Sequence, residues 1–319
     1  MELVPLPTPS QGKPLIQVLA ASRSGRLAIV RTEDSCTELM HSHGFAHILD
    51  VSANQAAFSE DESRFVLVCN DDVGVWSSES RWRVCNWIST SVTSICFRGD
   101  SPTLLVAGWE NNTIGTMDVL TREIRDVLDL EDPAADRWLW PVLSPDGSKA
   151  IFTSEGSDVL VCDLVTGTRR VVKLPRDPGL ARHITSDGAR AFFSYYVADL
   201  ATGDVLNDHF NFTGVSPHGT RVTQRLMKGL WKQVVTVSDT LGRWMCELHM
   251  DSDSVDAFAG ENELFTVDQE GTLHRFQIRP LAWGQALALF AGASGSLKRF
   301  LERDGDHAVM HKVLECLIF

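Results

Sequence analysis

The sequence predicts an all-β chain in which about seven four-stranded antiparallel sheets are arranged as blades and closed into a ring. Three observations predict it. A tight turn recurs along the chain, in its fullest form as Ser144-Pro145-Asp146-Gly147. A second turn, opened by an aspartate, recurs further along each unit, as in Asp163-Leu164-Val165-Thr166-Gly167. Between the turns run short apolar, β-branched stretches such as residues 158–162 and 170–174, which read as strands.

Each turn has a physical reason. In Ser144-Pro145-Asp146-Gly147, proline presets φ, aspartate bonds the local backbone, and glycine takes positive φ without steric cost. Copies stand at Ser22-Arg23-Ser24-Gly25, Ser59-Glu60-Asp61-Glu62 and Arg98-Gly99-Asp100-Ser101. They continue at Ser186-Asp187-Gly188, Ser216-Pro217-His218-Gly219 and Ala259-Gly260-Glu261-Asn262. The spacing, roughly 30 to 46 residues, approaches the period of radially repeated blades. The aspartate turn recurs at Asp118, Asp199 and Asp239. An aspartate placed there can bond its own turn's amides, so its expected role is structural.

Taken in order, the units cover residues 15–47, 52–88, 92–130, the template unit, 181–210, 212–250 and 255–278. The fifth is short and shows no turn between its second and third strands within residues 191–199. The seventh shows three strands. Residues 2–7 are the expected fourth, because closing the ring removes two exposed sheet edges. Pro5 and Pro7 suit an outermost strand, where a missing N–H bonds nothing. Residues 281–286 are the alternative supply.

These turns resemble WD-repeat-like β-propellers of the bacterial Ser-Pro-Asp-Gly type over almost the whole chain, to about Pro280. The Gly-His and Trp-Asp pairs of eukaryotic repeats are absent, and Val75-Trp76 and Met117-Asp118 are at best degenerate relics. The resemblance implies a β-propeller of about seven four-stranded blades, closed by an N-terminal strand, with a short α-helical C-terminal tail. Residues 1–280 would be the propeller, with 1–14 as closing strand and lead-in, and 281–319 the tail. In that tail Asp306 can cap a helix carrying Met310, Val313, Leu314 and Leu317 at i, i+3, i+4 and i+7. Such a stripe must be buried, either on the propeller or on a partner.

Composition narrows the function classes. A formal charge of −13 and a pI near 5.2 oppose nucleic acid and anionic membranes as partners. No apolar run approaches the ~20 residues of a spanning helix. The first residues lack a basic start and an apolar segment, so no secretory signal is expected. Seven scattered cysteines, with Cys69, Cys96 and Cys162 inside apolar stretches, suggest reduced thiols and a cytoplasmic location.

Catalytic motifs are not visible. There is no Gly-x-Ser-x-Gly elbow, no phosphate-binding loop and no dinucleotide fingerprint. His41, His43 and His47, or His307 and His311 with Cys316, lack a visible full ligand set, so no metal and no cofactor is expected. What remains is surface. The loops between second and third strands share a face with those entering each first strand. They carry Asp71, Asp72, Trp109, Glu110, Asn111, Arg137, Trp138, Trp231 and Glu270. Tryptophan and arginine are enriched in binding hot spots. The expected function is therefore a non-catalytic scaffold that binds a partner protein through that face, with the C-terminal helix as a second contact. The alternatives are a propeller hydrolase or lactonase with a site at the central channel, and a small-ligand or peptide sensor at the channel mouth.

Overall fold

The computed structural model describes residues 2–5, 14–41, 46–70, 72–80, 83–88, 92–99, 102–108, 114–128, 138–208, 212–216, 219–228, 232–239, 244–248, 257–259, 263–267 and 272–277. Among them every regular element is a strand, and the strands form seven four-stranded antiparallel sheets. The expected C-terminal helix, with Met310, Val313, Leu314 and Leu317, lies outside the described residues.

The first strand, β1 (Glu2–Pro5), belongs to the last sheet. The first meander is β2 (Leu15–Ala21), β3 (Leu27–Thr32), β4 (Thr37–His41) and β5 (Ala46–Ile48). The second is β6 (Gln55–Phe58), β7 (Arg64–Cys69), β8 (Asp72–Ser77) and β9 (Arg83–Ile88). The third is β10 (Val92–Phe97), β11 (Thr103–Gly108), β12 (Ile114–Asp118) and β13 (Ile124–Leu128). The fourth is β14 (Trp138–Leu143), β15 (Lys149–Ser154), β16 (Asp158–Asp163) and β17 (Arg169–Lys173). The fifth is β18 (Ala181–Ile184), β19 (Arg190–Phe193), β20 (Val197–Asp199) and β21 (Val205–Asn207). The sixth is β22 (Phe212–Val215), β23 (Arg221–Lys228), β24 (Lys232–Asp239) and β25 (Trp244–Leu248). The last chain segment supplies β26 (Ala257–Ala259), β27 (Glu263–Val267) and β28 (Leu273–Gln277).

That last sheet takes its outermost strand from the opposite end of the chain. β1 pairs antiparallel with β28 in the register Glu2↔Gln277, Leu3↔Phe276, Val4↔Arg275 and Pro5↔His274. Two distant parts of the sequence thus share one hydrogen-bonded ladder. Pro5 sits on an edge strand, where a residue without an N–H donor is tolerated.

The core lies between sheets rather than within one layer. Cys96, Leu105 and Ile114 of the third sheet meet Phe152, Leu160 and Leu164 around the fourth. Ile29 and Leu39 of the first meander meet Phe65 and Trp76 of the second, while Val30 and Met40 turn the other way onto Phe265 and Leu273. A strand covered on both faces cannot alternate apolar with polar residues. Ala150-Ile151-Phe152-Thr153 is accordingly buried throughout. Each large side chain of this kind contributes roughly 1.5–3 kcal/mol by leaving water. The first strands of successive sheets adjoin one another, so they are the innermost. No helix among the described residues is long and apolar enough to cross a membrane.

The turns behave as their residues require. Ser144 Oγ donates to Asp146 Oδ1 at 2.6 Å and accepts from the Lys149 N–H at 2.9 Å, while Asp146 Oδ1 accepts from the Ser148 N–H at 3.1 Å. Ser59 with Asp61, and Thr185 with Asp187, repeat the arrangement. Gly147 has φ +68°, and a Cβ there would fall 2.7 Å from Leu105 Cδ1 of the preceding sheet. The turn therefore needs glycine twice, for its backbone and for its neighbour. In the aspartate turns, Asp163 Oδ1 accepts from the N–H groups of Val165 and Thr166 at 2.9 and 2.8 Å, and Asp118 and Asp199 do the same. Their role is structural, as the sequence implies.

The fifth sheet has the hairpin that its sequence hides. Ser194-Tyr195 turns the chain between β19 and β20, closed by Phe193 N–H to Tyr196 O at 2.9 Å. The fully buried Tyr196 anchors it by donating its hydroxyl to Arg176 O at 2.6 Å. Burial pushes that phenol up to about 12.

Candidate functional site: the channel mouth

Because the sheets are up-and-down meanders with the first strand innermost, their turns sort by face. The turns from first to second strand, and from third to fourth, lie on one face. The loops from second to third strand, and those entering the next sheet, lie on the other. On the first face the innermost strands open into a recess of about 690 Å³. That volume falls within the usual range of ligand sites, ~300–1,000 Å³.

Six sheets line it. Ala21, Phe58, Phe97, Leu143 and Phe258 give apolar walls from the ends of β2, β6, β10, β14 and β26, and Arg182 and His183 come from β18. Polar side chains tie these inner strands together. Gln55 Nε2 donates to Val92 O at 3.0 Å, Thr93 Oγ1 donates to Pro141 O at 2.8 Å, and the Leu143 N–H donates to Ser94 Oγ at 3.2 Å. Each bond crosses from one sheet to the next and occupies a backbone group of an inner edge.

Most charge at the rim is internally matched. Arg23 pairs with Glu60 across two neighbouring turns. Asp146 is held in its own turn by Ser144 and Ser148. Arg182 differs: it is exposed and makes no hydrogen bond or ion pair with another described residue. The His183 ring lies edge-on to Phe192 at 5.6 Å. Burial, with a smaller contribution from Asp146, pushes the Cys96 thiol far above its ordinary range. A thiol that stays protonated is a weak nucleophile, so Cys96 acts as a small apolar wall residue.

Of the residues expected to bind a partner, Asp72 and the Trp138 backbone lie on the opposite face. Asp71, Trp109, Glu110, Asn111, Arg137, Trp231 and Glu270 lie outside the described residues, as does the Trp138 side chain. The Trp138 backbone opens β14 on that face. Asp72 opens β8, and its carboxylate accepts from Arg83 Nη2 at 2.5 Å through both oxygens. The Arg83 guanidinium lies 5.2 Å above the Trp76 ring, and Trp76 stacks on Phe65 at 6.0 Å. Asp72 is thus part of a layered stack on its own blade, which gives its charge a local partner. The His41 and His47 rings meet edge-to-face at 5.8 Å, and no group of three or more His, Cys, Asp and Glu among the described residues is placed to hold a metal.

Arg182, His183 and the apolar walls were not singled out in the sequence. They sit within first strands, where no turn or motif marks them. The only signal is positional: an arginine and a histidine interrupt the inner strand 181–184 between buried Ala181 and Ile184.

These features define a β-propeller with an open channel mouth. Comparisons agree on the fold. The chain is similar to the β-propeller domain of Myceliophteria thermophila Cps50 (Swd1), with a TM-score of 0.62 at 12% identity, over 83% of this chain and 96% of that one. It is also similar to a chain of Kuenenia stuttgartiensis Hydrazine Synthase, with a TM-score of 0.58 at 13% identity, again over 83% of this chain and 96% of that one. At such identities the likeness shows the fold alone, and one propeller hosts many functions. No protein-family model matches the chain, and no curated protein matches it in sequence.

Proposed function

We propose that this propeller is a non-catalytic binding module that receives a partner protein at its channel mouth. The recess of about 690 Å³ carries this reading. Its walls are mainly apolar, its rim is charged, and its inner edges are held by cross-blade bonds. A rigid, largely pre-formed recess of this kind binds without first ordering its own side chains. The loops of the opposite face and the stripe Met310, Val313, Leu314 and Leu317 are proposed as further contacts of the same partner. The Ser144-Pro145-Asp146-Gly147 turn and its degenerate copies support placing the chain with the WD-repeat-like propellers. The unbridged thiols of Cys69, Cys96 and Cys162 support a cytoplasmic setting.

The test is co-purification from the source organism with the tagged chain and with Ser186→Trp, which places an indole in the mouth. The expected result is a stoichiometric partner retained by the wild type and lost by the variant. Recovery of no stoichiometric partner, or equal recovery by a folded variant, would contradict the proposal.

A further inference from the structure

Among the described residues, Arg182 is the lining arginine without a partner, and it suggests what the recess reads. Arg23 is matched by Glu60, and Asp146 by its own turn. Arg182 lines the same space and makes no hydrogen bond or ion pair with another described residue. In a chain of net charge −13, an arginine left without a carboxylate is available to an outside anion. Guanidinium geometry fits a carboxylate through two parallel N–H···O bonds, and low-dielectric walls strengthen them. Those walls are here: Ile95, Phe97, Val142 and Leu143 line the same recess.

We propose that the channel mouth binds a segment of a partner protein that presents an aspartate or glutamate beside an apolar side chain, with Arg182 holding the carboxylate. This rests on the binding-module reading above. The volume exceeds what one carboxylate needs and leaves room for the flanking apolar residue and main chain. A partner segment with this composition also complements the chain locally, although its overall charge repels acidic molecules at long range.

The experiment is selection of a random peptide library on the intact protein. Enriched peptides are then measured by fluorescence polarisation against wild type and Arg182→Gln, with competition by free glutarate. Ser186→Trp reports whether binding occurs in the mouth. Circular dichroism confirms that both variants fold. The expected peptides carry an acidic residue next to an apolar one, are blocked by Ser186→Trp, and bind Arg182→Gln weaker by about tenfold or more. Peptides blocked by Ser186→Trp but lacking an acidic residue, or indifferent to Arg182→Gln, would overturn this inference and leave the binding-module reading standing. Glutarate binding as tightly as the peptides would overturn the assignment to a protein segment. Absence of any mouth-directed peptide would count against both.

Discussion

Glu62 of the second blade accepts two hydrogen bonds from Ser24 of the first, from the backbone N–H at 2.5 Å and from the hydroxyl at 2.6 Å. Its own φ is +59°. Gly147, Gly188 and Gly219 hold the matching turn position in later blades, also at positive φ. There the absent side chain lets the turn seat against the preceding blade. At Glu62 a side chain makes that contact instead.

The exchange is measurable. Glu62→Ala keeps the strained backbone and loses the bonds, so the unfolding free energy should fall by about 1 kcal/mol. Glu62→Gly loses the same bonds but relieves a positive-φ cost of about 1 kcal/mol, and should stay closer to wild type. Urea unfolding midpoints of the two variants check this. Equal loss in both would show that Glu62 is not strained.

Two glycines separate backbone strain from packing. Gly167 has φ +72° with nothing within 4 Å of a Cβ, whereas at Gly147 a Cβ would meet Leu105 at 2.7 Å and Arg98 Cα at 3.3 Å. Gly167→Ala should cost only the strain, about 1 kcal/mol. Gly147→Ala should cost that and a further ~1–3 kcal/mol of overpacking between blades. Thermal unfolding of the pair gives the difference directly.

Acid should loosen the turns. Lys149 holds the Asp163 carboxyl far below the ordinary carboxylate range, with help from the Thr166 and Val165 amides. Ser59 lowers Asp61, the Thr121 amide lowers Asp118, and Thr185 lowers Asp187. A depressed folded pKa gives stability that is present above the unfolded value, ~3.9, and is lost as pH falls toward the folded one. The urea midpoint should therefore be nearly flat from about pH 7 to 5 and drop below about pH 4. Asp163→Asn should be less stable at neutral pH and show a shallower acid slope.

Much of this architecture is legible because turns carry local chemistry. Ser144-Pro145-Asp146-Gly147 announces its conformation through three residues, each with its own reason. The strand from the N-terminus is legible for another reason: a three-stranded last unit leaves an edge that something must cover. The Ser194-Tyr195 hairpin is not legible, because a serine with no glycine, proline, asparagine or aspartate beside it is a weak turn signal and its hold comes from Tyr196 reaching Arg176 O. The channel mouth is hidden more deeply. Arg182 and Phe258 come together only once the sheets stand around an axis, and no spacing in the chain encodes that meeting. Tryptophan-rich loops draw attention to the other face, yet Asp72, the described carboxylate among the residues expected to bind there, is already engaged by Arg83.

Closure by β1 is the claim on which the channel and its mouth depend, and a disulfide across the seam tests it most directly. Glu2 and Gln277 are opposed in the antiparallel register, which places their Cα atoms about 4.5–5.5 Å apart, within disulfide reach. Glu2→Cys/Gln277→Cys should form an intramolecular bond under mild oxidation, located by peptide mass mapping, and should raise the unfolding temperature. The displaced control Glu2→Cys/His274→Cys should not. A bond that forms only between chains, or forms equally well in the control, would contradict a ring sealed by its own first strand.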